Sequence, residues 1–416
     1  MKKLFVLALA VLMVAAFTMP ASAKVESKFG GYFEYVWSAY KSLNYLDTGA
    51  TDYTSVRLRN RIYYTAIIHE NLKLITKFEM DTTWGEQTTG FGDWNADGIA
   101  VEVKNAYIDF NLQNVRFEIG TQGFALHRGL VYNDDATGMK ISYRGMDNIV
   151  PAFHWIRPYD GDKTSANNGL DVDHYTVLVN IKSGNMQFVP SIGWMTSNDG
   201  SGFSAAAGTA TEAMNLYFLG LDFNAKFDMW DLMLTGVYEG GSLNDTTDIT
   251  GYAFDAKAGV KLANFKIRGE FLYVSGEEAT PTGDYDGFWY PKDGGTAKGY
   301  STSELYRKGW DWTKTPGFPT TVNPIDDLSD NAVQNRMEFG LGVDFNASKS
   351  WKIMLDWWNL NLAEEADNGN TAIGNEIDAK ATWTVMKNLS LDLIGAYLII
   401  GDAIEPASND SNAYEA

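Results

Sequence analysis

The side chains that could do chemistry in this chain are charged, and they recur at every second position. Arg57, Arg59 and Arg61 form a ladder along a run over 54–68. Lys77, Glu79 and Asp81 repeat the spacing, as do Lys140 and Arg144, then Lys266, Arg268 and Glu270. Glu338 and Asp344 belong to a later run, and Glu376, Asp378 and Lys380 to another. Period two puts such charges on one face of a strand and the intervening residues on the other. A face of this kind either braces a wall through ion pairs or lines a wet passage whose charge balance sets solute preference. On the second reading the pore-lining set is Arg57, Arg59, Arg61, Lys77, Glu79, Asp81, Lys140, Arg144, Lys266, Arg268, Glu270 and Glu338.

The elements that carry these charges alternate clearly. In the first run, 28–40, Phe29, Gly31, Phe33, Tyr35 and Trp37 share a face. Val56, Leu58 and Ile62 oppose the arginine ladder. Phe265, Ile267 and Phe271 alternate with Lys266, Arg268 and Glu270, and Met337, Phe339, Leu341, Val343 and Phe345 with Glu338, Gly340, Gly342 and Asp344. A soluble sandwich would turn the charged face outward; a membrane barrel would turn it inward. Run length decides, since a tilted strand crossing hydrocarbon needs about ten residues and sandwich strands have about five or six.

Turns alternate as well. Tight ones fall at Glu70-Asn71, Gln113-Asn114, Asp147-Asn148, Ser183-Gly184, Asp228, Ala263-Asn264, Ser348-Lys349 and Lys387-Asn388. Longer connections fall at 41–53, 85–99, 127–136, 159–172, 197–213, 240–250, 276–332, 363–374 and 402–412. Short periplasmic turns and long extracellular loops are the outer-membrane pattern. The fold predicted is all-β: a transmembrane antiparallel up-and-down barrel of about 18 strands with a periplasmic N-terminus. The runs give 17 complete strands, and an 18th would begin at Ala413, Tyr414 and Glu415. Because a barrel has no free edge in lipid, the expectation is a truncated last strand and an incomplete seam against the first. Val101 and Val103 fall out of phase with Ala106, Ile108, Phe110 and Leu112, so a β-bulge is expected near Lys104-Asn105.

Residues 1–23 read as a cleaved signal peptide. Lys2 and Lys3 precede an apolar run from Leu4 to Phe17, and Ala21-Ser22-Ala23 gives the cleavage pattern. Residues 24–416 then form one barrel domain with a long extracellular loop at 276–332. Of 33 Lys and Arg, Lys2 and Lys3 lie in the leader; the 31 left face 53 Asp and Glu, a net charge of −22. That excludes nucleic acid as a partner. There is no Cys, hence no disulfide framework and no thiolate metal site.

Other chemistry is thin. Asp93, Asn95 and Asp97, followed by Gly98, match the start of a calcium-binding loop, but Lys104 stands where the bidentate acid belongs. Calcium in this outer loop is the one cofactor the sequence suggests. The loop 276–332 holds Trp289, Tyr290, Tyr300, Tyr306, Trp310, Trp312 and Phe318, which suit either an inward constriction or a packed cap. His69, His127, His154 and His174 sit in no local hydrolase signature, so no enzyme is expected.

The stretch Ile373-Gly374-Asn375-Glu376-Ile377-Asp378, followed by Leu389-Ser390-Leu391 and Gly395-Ala396-Tyr397, resembles the C-terminal part of the alginate-export porin family. Gly120 to Asp135 is similar to a strand and loop of the same group. The resemblance implies an 18-stranded barrel passing anionic polysaccharide or small solutes through a cationic lumen. The expected partners are outer-membrane lipid and lipopolysaccharide outside and small hydrophilic solutes inside, with a homo-oligomer left open. An outer-membrane enzyme or adhesin, or a barrel sheathing a periplasmic partner, is the alternative.

Overall fold

The computed structural model describes residues 25–41, 53–84, 101–159, 171–197, 213–242, 247–277, 284–288, 303, 335–366, 369–403 and 413–415. The described strands form one antiparallel sheet. It begins with β1 (Glu26–Lys41), β2 (Tyr53–His69), β3 (Leu72–Thr83), β4 (Glu102–Leu112), β5 (Val115–Leu126) and β6 (Tyr132–Tyr143). Next come β7 (Ile149–Tyr159), β8 (Val172–Ser183), β9 (Met186–Ser197), β10 (Met214–Lys226), β11 (Trp230–Ser242) and β12 (Asp248–Leu262). Then follow β13 (Phe265–Val274), β14 (Arg336–Asn346), β15 (Trp351–Asn361), β16 (Ala372–Met386) and β17 (Leu389–Ile400), and the three-residue β18 (Ala413–Glu415). Each strand pairs with its chain neighbours, the up-and-down order expected. Among the described residues no helix is long and apolar enough to cross a membrane.

Two faces separate as the period-two reading requires. Leu341 is 47% exposed while Glu338 on the same strand is 1% exposed. The outward face is apolar and belted by aromatic pairs. Near the long-loop end Tyr175 stacks with Trp194 at 5.7 Å and Tyr252 with Tyr273 at 5.5 Å. Near the tight turns Phe265 stacks with Phe345 at 4.6 Å and Trp351 with Trp383 at 5.8 Å. On β13 the two belts fall at Phe265 and Tyr273. Eight steps of strand span about 27 Å, or about 20 Å once tilted, close to the ~25 Å apolar band of an outer-membrane barrel. Sequence and lipid-facing geometry thus agree on a transmembrane barrel.

Two local expectations are also met. The β3–β4 register shifts between Lys77 and Phe78, leaving Lys104 as the extra residue of a bulge. The seam is narrow: Glu415 pairs with Ala396 on one side and Tyr40 on the other, and Tyr414 with Tyr397 and Lys41. Below this rim β1 and β17 have no strand between them among the described residues.

One loop assignment is corrected. The stretch 127–136 is not a long outer connection. Strand β6 resumes at Tyr132, whose backbone pairs with Leu126, and Asp134 pairs with Phe124. Only 127–131 connects, and it folds into the lumen. There Leu126, Leu130, Val131 and Tyr132 join an apolar cluster with Met195, Leu216, Phe218, Val237 and Leu272 of β9, β10, β11 and β13. Part of the barrel interior is therefore a dry apolar core, where alternation alone suggests a uniformly polar lumen.

Candidate functional site

The ladder is built by register. Arg59 lies directly opposite Asp81, and Arg61 opposite Glu79. Arg59 makes a two-pronged contact with Asp81, Nε to Oδ1 at 2.8 Å and NH2 to Oδ2 at 2.5 Å. Arg61 Nε donates to Glu79 Oε2, and Arg59 Nε lies 3.5 Å from the same oxygen. Glu79 is 5% exposed, and its other oxygen is 3.6 Å from Lys104 Nζ. The bulge brings Lys104 and Asn105 to the same face: Lys104 reaches Asp135 at 2.8 Å, and Asn105 Nδ2 donates to Asp135 Oδ1 at 2.6 Å. Arg61 also sits over the Tyr32 ring and Lys77 over the Tyr63 ring. Charges half withdrawn from water persist when paired this way.

These residues wall a lumen cavity of ≈ 760 Å³. Arg59, Arg61, Lys77 and Lys104 line it together with Glu79, Asp81, Glu102, Asp134 and Asp135. Four cations thus meet five carboxylates. The far side of the cavity is the end of β5 and the start of β6, from Gly123 to Ala125 and from Asn133 to Asp135.

The segment between them, 127–131, is a strap pinned across the barrel. His127, Arg128 and Gly129 all have left-handed φ, at 52°, 56° and 93°. Two consecutive non-glycine residues in that region hold only because contacts over-determine them. Arg128 NH1 lies 3.1 Å from Asp255 Oδ2, and NH2 donates to the Leu234 carbonyl at 2.7 Å. His127 Nε2 is 2.6 Å from Ser191 Oγ, and Nδ1 is 3.3 Å from Asp222 Oδ1, an oxygen that accepts a hydrogen bond from Thr235. Glycine at 220 makes room: a Cβ there would fall 2.0 Å from His127 Nε2. Ser191, His127 and Asp222 have the connectivity of a hydrolase triad. With Ser191 at 5% and His127 at 2% exposure, however, they serve as an anchor for the strap.

The other residues singled out from sequence lie around the same inner wall. Lys140 donates to the Gly123 carbonyl at 2.6 Å and covers the Phe124 ring. Arg268 bridges Asp344 and Asp356, each at 2.8 Å. Lys266 pairs with Asp231 at 2.8 Å, and Glu270 with Lys257 at 2.9 Å. Glu338 is buried on the inward face of β14. Arg57 continues the ladder toward Thr83. Arg144 lies just past β6, exposed at a short turn, and not on a strand. Asp93, Asn95 and Asp97 and the aromatic residues of the long loop fall outside the described residues; among those described, no group of three or more acids and histidines is placed to hold a metal. Sequence reading missed His127, Arg128, Asp134 and Asp135 as lumen residues. The available signal was Leu130-Val131, an apolar pair out of place in an outer loop.

No family model matches the chain, and no curated protein matches it. Solved structures do. The outer membrane protein opdK from Pseudomonas aeruginosa superposes with a TM-score of 0.58 at 9% identity, covering 94% of this chain and 96% of that one. OccAB4 from Acinetobacter baumannii gives 0.57 at 11% identity over 95% and 98%. A BenF-like porin from Pseudomonas fluorescens gives 0.55 at 9% identity over 94% and 97%. At such identities the likeness defines the fold, and the fold is the transmembrane β-barrel of porins.

Proposed function

We propose that this chain is an outer-membrane porin that passes small hydrophilic solutes through the cavity between the arginine ladder and the strap. The observation that carries the reading is that cavity: a lumen space walled by charged side chains of both signs, beside a strap packed into an apolar cluster of the interior. Export by a leader ending at Ala23 would deliver it, and the aromatic belts would sit at the two interfaces against lipid and lipopolysaccharide. The tight-turn end is then periplasmic. An anionic saccharide, which the alginate-export resemblance implies, would have to compete with Asp81 and Glu79 for Arg59 and Arg61. The pairing favours neutral or zwitterionic solutes.

Planar-bilayer recording tests this. The protein should insert in discrete steps of steady conductance. Changing Arg57, Arg59 and Arg61 together to Glu should turn selectivity strongly toward cations, because a ring of charge at a constriction sets the preference. Silent insertions would contradict a channel, and conducting insertions whose selectivity ignores the ladder would take this cavity out of the path.

A further inference from the structure

A second lumen cavity, ≈ 820 Å³, opens at the tight-turn end, away from the ladder. Lys182, Lys226, Lys261 and Lys266 line it, with Asp228 and Asp231. The lysines point inward by strand parity. Lys182 shares its face of β8 with buried His174 and Thr176, Lys226 its face of β10 with Leu216 and Phe218, and Lys261 its face of β12 with Ala253 and Asp255. Each closes the inward row of its strand at the mouth.

The arrangement is unfavourable without a counter-charge. Lys261 lies directly opposite Lys266 in the β12–β13 register. Like charges facing one another across a strand pair destabilise a sheet. Lys266 is held by Asp231, over Gly259, where a Cβ would fall 2.4 Å from the lysine Cε. Among the described residues Lys182, Lys226 and Lys261 form no ion pair. The ladder shows the opposite design, with guanidinium groups matched by facing carboxylates.

We propose that this vestibule binds a small multivalent anion arriving from the tight-turn side. Three lysines from three separate strands would converge on it, beside the Lys266–Asp231 pair. The orientation of that mouth toward the periplasm rests on the porin reading; the anion site itself does not. A concave site where lysines outnumber acids, four to two here, concentrates anions and loses the effect in salt.

The test uses pyrophosphate and citrate as probes, added to each side of a bilayer containing the full chain. In wild type the half-blocking concentration should be about tenfold lower from one side than from the other, and should rise with KCl. The triple variant K182Q/K226Q/K261Q should lose that side preference, and the triple Lys→Arg variant should keep it. Block by both probes assigns multivalent anions generally; block by pyrophosphate alone assigns phosphates. Equal block from both sides, or a preference unchanged in the Gln variant, overturns the proposal. Conductance without probe is recorded first, so failure of the channel is seen separately. Calorimetry of pyrophosphate binding to detergent-solubilised protein then decides the site even without current: heat lost in the Gln variant supports it, and no wild-type heat ends it.

Discussion

Changing Arg128 to Ala should unfasten the strap. Arg128 reaches from the β5–β6 connection to Asp255 on β12 and to the backbone carbonyl of Leu234 on β11. Asp255 is fully buried, so removing the Arg128 guanidinium weakens the compensation of its carboxylate. Breaking one side of a buried pair typically costs about 3 kcal/mol or more. The left-handed backbone at the tip then relies on His127, the Leu130 N–H bond to the His127 carbonyl and the apolar packing. Urea unfolding in lipid vesicles should show a lowered midpoint, and bilayer recording a larger, noisier conductance. Adding Asp255→Asn to Arg128→Ala should recover part of the stability, since the buried charge that lost Arg128 is removed. A wild-type midpoint and steady conductance in the single variant would show that the strap needs no pin.

Changing Glu79 to Gln should have the second-largest effect. One carboxylate, 5% exposed, serves Arg59, Arg61 and Lys104. Gln keeps the shape and loses the charge, leaving three cations in contact with a neutral group. Hydrogen bonds to charged groups contribute about 1.5–3 kcal/mol each, so a loss of about 2 kcal/mol is expected. The permeability ratio in a KCl gradient should shift toward chloride, because the cavity lining loses one of its five carboxylates. Asp81→Asn offers the internal control. Asp81 binds the same Arg59 with better geometry but is 47% exposed, so its loss should cost under about 1 kcal/mol. If the two variants are equally destabilised, burial is not what separates these pairs.

Much of this is legible in the amino-acid sequence. The lipid-facing side follows from Leu341, Val343 and Phe345 alternating with glycine and acid, and the bulge from the phase slip between Val103 and Ala106. Even the three residues of β18 follow from counting runs. These features are local: each depends on side-chain period or turn chemistry within a dozen residues. The strap is not local. His127 meets Ser191, and Arg128 meets Leu234 and Asp255, across 64 to 127 residues of chain. Its turn also uses His and Arg where left-handed backbone would advertise itself through Gly or Asn. The ladder shows the intermediate case. Its inward face is readable from Arg57, Arg59 and Arg61 alone, but its neutralisation depends on the register that sets Asp81 and Glu79 opposite. Reading the arginines without that register suggests a cationic lumen; reading them with it gives a balanced one.

The most direct test of the central claim uses the absence of cysteine in the native chain. A single cysteine at Glu102, exposed on the cavity wall opposite Glu79, should react with a charged methanethiosulfonate reagent and lower the single-channel current in steps. A single cysteine at Leu341, on the outward face of β14, should leave the current unchanged under the same reagent. Current that drops for Glu102→Cys alone places the conduction path between ladder and strap. An unmoved current for a demonstrably modified Glu102→Cys, or an equal drop at Leu341→Cys, would contradict it.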